Sequence, residues 1–233
     1  MASSLSVERV AGRTPVASWR HTVRLAGLFV ILGASGLLPH GSGPMAAAPR
    51  PRVAVLYATL IAAEWLLFRA VTAGLKAKGI DWRTLLGHAG SGGGDLARDV
   101  LLGVLLCAGW VSALVAVRSS FPEPAAGPSL LPQGALETAL WIVLALSAGF
   151  CEEIAFRGYF QRQFEALTGG RGVALAMQAV LFGVAHGYQG LPSALAIAGY
   201  GVLFGALALW RRRLRPGMVA HALTDLVLGL CGR

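Results

Sequence analysis

Long apolar segments alternate with short polar ones along most of the chain. Residues 25–49 carry no formal charge, nor do residues 100–117, and residues 172–210 contain no Asp, Glu, Lys or Arg. A helix that crosses a membrane needs about 20 mostly apolar residues. Each of the first two segments is therefore long enough for one crossing. The third is long enough for two, with the turn at Gly187–Pro192 between them.

The same pattern extends to the rest of the chain. Further spans are predicted at 53–75, from about 135 onward, and at 218–230. The sequence thus predicts an all-α fold, a polytopic transmembrane helix bundle of about seven spans. The predicted organisation is a cytoplasmic N-terminal segment at 1–24, N-terminal transmembrane helices and loops at 25–134, and a C-terminal transmembrane region at 135–233. The first apolar segment is interpreted as an uncleaved span rather than as a signal peptide that ends near Ala46–Ala48.

The composition agrees with a membrane protein. Hydrophobic residues make up 55% of the chain and charged residues only 13%, against about 25% in an ordinary soluble domain. The net charge of +9 comes from Lys and Arg that gather in alternate loops, as membrane orientation requires. This bias predicts a cytoplasmic N-terminus, and it needs no nucleic acid to explain it. The Ala-, Arg- and Gly-rich composition suggests a bacterial inner membrane.

Ionisable groups inside spans cost roughly 2.5–3.5 kcal/mol each on insertion scales, so by default they mark function. The second half of the chain contains six of interest: Glu152, Glu153, Arg157, His186, His221 and Asp225. Glu64, in the second span, is interpreted as a residue that hydrogen-bonds between helices. Trp141 is interpreted as a lipid-facing or interfacial aromatic.

Helical spacing sorts these groups. Glu153 and Arg157 are four residues apart with the acid first, the favourable order for an ion pair. His186 shares a face with Phe182, four residues earlier, and the same spacing relates two further groups, His221 and Asp225. A hairpin that turns at 169–170 places Glu152 and His186 at similar heights. One carboxylate and two imidazoles are therefore expected to converge.

Three motifs now stand in order on separate predicted helices. They are Glu152-Glu153-x-x-x-Arg157, Phe182-x-x-x-His186 and His221-x-x-x-Asp225. Together they resemble the motifs of the CPBP family of intramembrane proteases. That family includes the type II CAAX prenyl endopeptidases and bacterial bacteriocin-processing and immunity relatives. The last motif usually ends in Asn, and the Asp at position 225 departs from this pattern.

The resemblance implies an intramembrane endopeptidase that cuts a membrane-associated protein or peptide within the lipid bilayer. Glu152 would be the general base that activates water, assisted by His186. His221, together with Asp225, would stabilise the tetrahedral oxyanion. Glu153 and Arg157 would form a structural ion pair, and Arg157 is also a candidate for binding a substrate carboxylate.

Three alternatives stay open at this point. A zinc enzyme would use Glu152, His186 and His221 as ligands of the divalent metal and leave one coordination position open. A non-catalytic bacteriocin-immunity or scaffold protein would keep the fold without the reaction. A proton-coupled transporter would use the same groups as a relay, but the chain shows no inverted repeat of the kind common in transporters.

Overall fold

A computed structural model describes residues 14–37, 51–87, 93–120 and 130–231. Within these ranges no strand forms, and the only bridge of β type joins Gly87 to Arg213. The all-α prediction is confirmed for this part of the chain. The stretch Ala46–Ala48 and the predicted N-terminal segment as far as residue 13 lie outside the described residues.

The described part of the chain contains eight α-helices and one π-helix. In chain order they are α1 (Trp19–Leu37), α2 (Pro51–Lys76), α3 (Gly93–Ser120), α4 (Gly134–Glu152), the π-helix (Glu153–Phe160), α5 (Gln161–Thr168), α6 (Arg171–Ala185), α7 (Leu191–Arg211) and α8 (Arg215–Cys231). Two short 3₁₀ turns, Trp82–Leu86 and Gly187–Gln189, lie between them.

Four helical stretches in the described residues are long and apolar enough to cross a membrane. They are Val53–Lys76, Gly93–Ala116, Gly134–Thr168 and Leu191–Arg211. Helix α6 is apolar but has only 15 residues, and α8 has 17. An integral membrane protein of helical architecture follows from this pattern, whereas the total of about seven spans stays a prediction.

The chain divides into two compact units, each made from separated segments. The first comprises Met1–Pro39, Phe68–Ala89 and Glu153–Leu214, and the second comprises His40–Leu67, Gly90–Glu152 and Arg215–Arg233. The first unit therefore contains α1 and the elements from the π-helix to α7. The second contains α3, α4 and α8. The boundaries at residues 24 and 134 that the sequence suggested stay predictions.

In the first unit, α6 and α7 pack closely because small residues line their contact. A Cβ added to Gly201 would lie 3.0 Å from the Cα of Ala179. Gln178 strengthens the contact by donating from Nε2 to the Gly201 carbonyl at 2.8 Å. Gly201 and Gly205, four residues apart on α7, thus allow the two helices to approach closely.

Before α6, the chain reverses at Gly169, where φ is +71°. This left-handed conformation suits glycine and ends α5. Its N–H donates to the Glu165 carbonyl at 2.8 Å. The turn that the sequence placed at 169–170 is therefore present.

In the second unit, α8 packs against α3 and α4. The contact with α3 is close at Gly103, where an added Cβ would lie 2.7 Å from the Val219 Cβ. On α4, an added Cβ at Gly149 would lie 2.9 Å from the Ala222 nitrogen. The backbone of α8 thus lies close to both neighbours, which places the residues of its inner face between them.

We predict that Gly183→Ala destabilises the first unit. The new Cβ would lie 2.6 Å from the Ala194 carbonyl oxygen and 2.8 Å from the Ala198 Cβ, and overpacking of this kind costs about 1–3 kcal/mol. Gly172→Ala is the matched control on the same helix, because nothing lies within 4 Å of a Cβ there. Since Ala is the better helix former, the control is expected to be neutral or slightly stabilising. Thermal unfolding in detergent micelles measures both variants, and equal melting temperatures would contradict the prediction.

Candidate active site

The first motif lies at the junction between an α-helix and a π-helix. Helix α4 ends at Glu152, and the π-helix begins at Glu153. A π-helix forms i→i+5 hydrogen bonds. Such segments are rare in proteins overall, and those that occur are often found at functional sites. The sequence pattern assumed a continuous α-helix here. The pairing of residues four apart still holds, because both helix types bring residues i and i+4 near one face.

Glu153 and Arg157 form a buried ion pair in the first unit. The Arg157 Nη1 lies 3.0 Å from the Glu153 Oε1, and the two side chains are 0% and 1% exposed respectively. The Arg157 guanidinium also lies over the Phe182 ring, 4.2 Å from its centroid, and 5.4 Å from that of Phe204. A carboxylate and two aromatic faces thus stabilise this buried cation. The pair that the spacing predicted is present.

His186 follows the last residue of α6. Its Nδ1 lies 2.8 Å from the Phe182 carbonyl oxygen, and since a carbonyl only accepts, the ring nitrogen is the donor. The proton of a neutral ring is then on Nδ1, which leaves Nε2 as the basic nitrogen. The rings of Phe182 and His186 are in edge contact at 4.7 Å. Phe182 therefore connects the Arg157 guanidinium with the His186 imidazole.

In the second unit, His221 lies between two carboxyl groups. Its Nε2 is 3.7 Å from the Glu152 Oε2 and 3.7 Å from the Asp225 Oδ2. Glu152 and His221 are buried, and the Asp225 side chain is 32% exposed. These distances exceed that of a direct hydrogen bond. The arrangement directs one ring nitrogen toward both acids.

The position of Asp225 depends on an aromatic residue of α4. The Trp141 Nε1 donates to the Asp225 carbonyl oxygen at 2.9 Å, and the Trp141 ring packs against Tyr57 at 5.2 Å. The sequence interpretation of Trp141 as a lipid-facing or interfacial residue missed this contact. In the sequence, the only indication of a role for Trp141 near the site was its position on the same predicted helix as Glu152.

The predicted site residues thus fall into two groups. Glu152, His221 and Asp225 lie in the second unit and meet there. The other unit contains Glu153, Arg157 and His186, which are connected through Phe182. The expected approach of His186 to Glu152 stays a prediction.

A comparison with protein families adds an independent finding. The family model described as Rce1-like, type II CAAX prenyl endopeptidase Rce1-like, matches residues 134–227. This part of the chain is an Rce1-like region. It contains all six predicted site residues, and the match agrees with the resemblance carried by the three motifs. No curated protein and no solved structure matches the chain significantly.

At family level, the Rce1-like match supports an intramembrane CAAX-type endopeptidase. An enzyme of this type acts on a membrane-associated protein substrate within a bilayer. The four helical stretches of membrane-spanning length agree with that setting.

The zinc alternative depends on how the donor side chains are arranged. A metal site needs three or more His, Cys, Asp or Glu side chains arranged around one point. Among the described residues, no such group is placed to hold an ion. The zinc alternative therefore has no support among the side-chain groups of the described residues.

We predict that Glu153→Gln lowers stability strongly. The substitution leaves the Arg157 cation buried without its counter-charge, and breaking a buried ion pair costs about 3–5 kcal/mol. Glu165→Gln is the control, because it removes an ion pair of 3.0 Å whose Arg171 side chain is 61% exposed. Exposed pairs contribute only about 0–1 kcal/mol. Thermal melting in detergent compares the two variants, and equal losses would contradict this view of the buried pair.

Proposed function

We propose that the chain hydrolyses a peptide bond in a membrane-associated protein or peptide, in the manner of a CAAX-type endopeptidase. One observation carries the proposal: two acids from α4 and α8 face the same nitrogen of His221 inside the second unit. Inserting ionisable groups such as Glu152, His221 and Asp225 among membrane helices costs free energy. A reaction that transfers protons would explain why the protein contains them.

In the proposed reaction, Glu152 is the general base. It takes a proton from water as the water oxygen attacks the carbonyl carbon of the peptide bond. The carbonyl oxygen becomes an oxyanion in the tetrahedral intermediate. When the carbon–nitrogen bond breaks, the proton held by Glu152 passes to the leaving nitrogen, so that an acid and an amine are formed.

His221 is the proposed donor to the oxyanion. A proton on its Nε2 faces the space between Glu152 and Asp225, where a substrate oxygen would accept the hydrogen bond. Asp225 offers no N–H when it is ionised. Its proposed role is therefore to orient the His221 ring through its charge, and the donation to the oxyanion comes from the imidazole Nε2–H.

His186 is the proposed second group for proton transfer. Its Nδ1 donates to the Phe182 carbonyl, so Nε2 has the lone pair that can bind a proton from the water. The resemblance carried by the three motifs implies this role, and the family match supports it at the level of the family.

The buried pair of Glu153 and Arg157 is proposed to orient the site. Arg157 was also a candidate for binding a substrate carboxylate. It is 2% exposed, paired with Glu153 and covered by the Phe182 ring. These contacts favour a structural role over direct contact with substrate.

We predict that Glu152→Gln lowers peptide hydrolysis by about 10²–10⁴-fold, the usual contribution of a general base. The protein is reconstituted in vesicles of phosphatidylethanolamine and phosphatidylglycerol. The substrate is a farnesylated C-a-a-X peptide with a fluorophore before the Cys and a quencher after it. The reaction is followed as the rise in fluorescence.

Glu137→Gln is the matched control for this experiment. It makes the same chemical change at the first turn of α4, where Glu137 accepts the Gln133 N–H at 2.7 Å. A glutamine oxygen accepts the same hydrogen bond, so cleavage is expected to continue. Undiminished cleavage by the Glu152→Gln protein would exclude the proposed base and favour the non-catalytic alternative.

We predict that metal removal leaves cleavage unchanged. Among the described residues, no group of three or more His, Cys, Asp or Glu side chains is arranged to hold a metal ion, and the proposed reaction uses only side chains and water. The measurement compares turnover of the same peptide before and after treatment with EDTA or 1,10-phenanthroline, together with the metal content of the purified protein. A loss of turnover that zinc restores would instead establish a metalloprotease.

A further inference from the structure

Glu64 is an ionisable residue that the proposed reaction does not use. It lies within the apolar stretch Val53–Lys76 of α2. Its Oε2 is fully buried, whereas the neighbouring Trp65 and Leu66 are 44% and 66% exposed. Tyr57, seven residues earlier, is 2% exposed, so Glu64 lies on the inner face of the helix.

Three contacts within the second unit set the alignment of α2 along α4. The Tyr57 ring packs on Trp141 at 5.2 Å. Farther along both helices, the Trp65 Nε1 donates to the Ser147 Oγ at 3.2 Å, and the Trp65 ring lies 6.0 Å from that of Phe150. The two helices therefore run in the same direction, and Glu64 is carried to the end of α4.

At that end, the alignment of the two helices places the Glu64 carboxyl beside the Glu152 carboxyl, and Asp225 is also near. Glu152 is in turn 3.7 Å from His221. Three helices thus bring three acids and one imidazole to one place. Two adjacent carboxyl groups attract each other when one carries a proton and donates it to the other.

We propose that Glu64 is a positioning residue whose hydrogen bond to the Glu152 carboxyl sets which oxygen of Glu152 faces the reacting water. This inference rests on the proposed function, because it assigns a partner to the proposed base. A hydrogen bond to one oxygen of Glu152 holds the side chain in one rotamer. The other oxygen is then directed to the water, and misplacing such a group by about 1 Å costs about 10²-fold in rate.

Two substitutions of Glu64 separate this role from a purely structural one. Glu64→Leu removes the hydrogen bond but fits an apolar helix, and Glu64→Gln keeps an N–H donor and an oxygen acceptor. Cleavage of the farnesylated C-a-a-X peptide in the same vesicles gives kcat and KM for each. Ala63→Leu is the control, because residue 63 is exposed on the outer face of α2.

The leucine variant is expected to lose kcat by about 10- to 100-fold at unchanged KM. Its melting temperature in detergent is expected not to fall. The glutamine variant is expected to retain kcat within about threefold, since a donor to Glu152 is preserved. The Ala63→Leu protein is expected to match the parent protein.

Other results would overturn the inference. If Glu152→Gln abolishes cleavage but Glu64→Leu does not, Glu64 does not position the base and the proposed function stands. Equal losses in the leucine and glutamine variants would exclude a hydrogen-bond role. A loss that follows a lower melting temperature would show a structural residue only. If Glu152→Gln itself remains active, the proposed function is wrong and this inference with it.

Discussion

A buried cation is the constraint on which the first unit depends. Arg157 is 2% exposed, and among apolar helices its charge is tolerated only where neighbouring groups replace water. Glu153 supplies the counter-charge and Phe182 supplies an aromatic face. Phe182 also provides the carbonyl that holds the His186 ring. Phe182 therefore both stabilises the Arg157 charge and fixes the orientation of the His186 imidazole.

In the second unit, the related constraint is that several carboxyl groups lie close together among apolar helices. Glu152 and Asp225 approach the same nitrogen of His221, and the Glu64 carboxyl lies beside Glu152. Like charges repel strongly where water is scarce. A proton shared among these groups relieves the repulsion. The proposed reaction, in which Glu152 accepts and then releases a proton, would use such an arrangement.

Much of the fold followed from local patterns. The apolar runs located helices such as Leu191–Arg211 within one or two residues, because a membrane-spanning helix needs a continuous apolar stretch. The total number of spans was harder to predict, since short helices such as Arg171–Ala185 do not meet that length by themselves. The π-helix at Glu153–Phe160 had no sequence signal that we recognised. All eight of its residues are buried, so no alternation of apolar and polar positions marks it in the sequence.

The sequence by itself determined the pairs four residues apart, such as Glu153 with Arg157 and His221 with Asp225, because the geometry of a single helix brings such residues together. The motifs also carried the family resemblance. Only the tertiary structure decided that Glu64 lies beside Glu152 and that Trp141 holds the Asp225 carbonyl. Those contacts depend on how far one helix slides along another. That alignment is set by small residues and aromatic rings distant in the chain, whose joint packing no local spacing encodes.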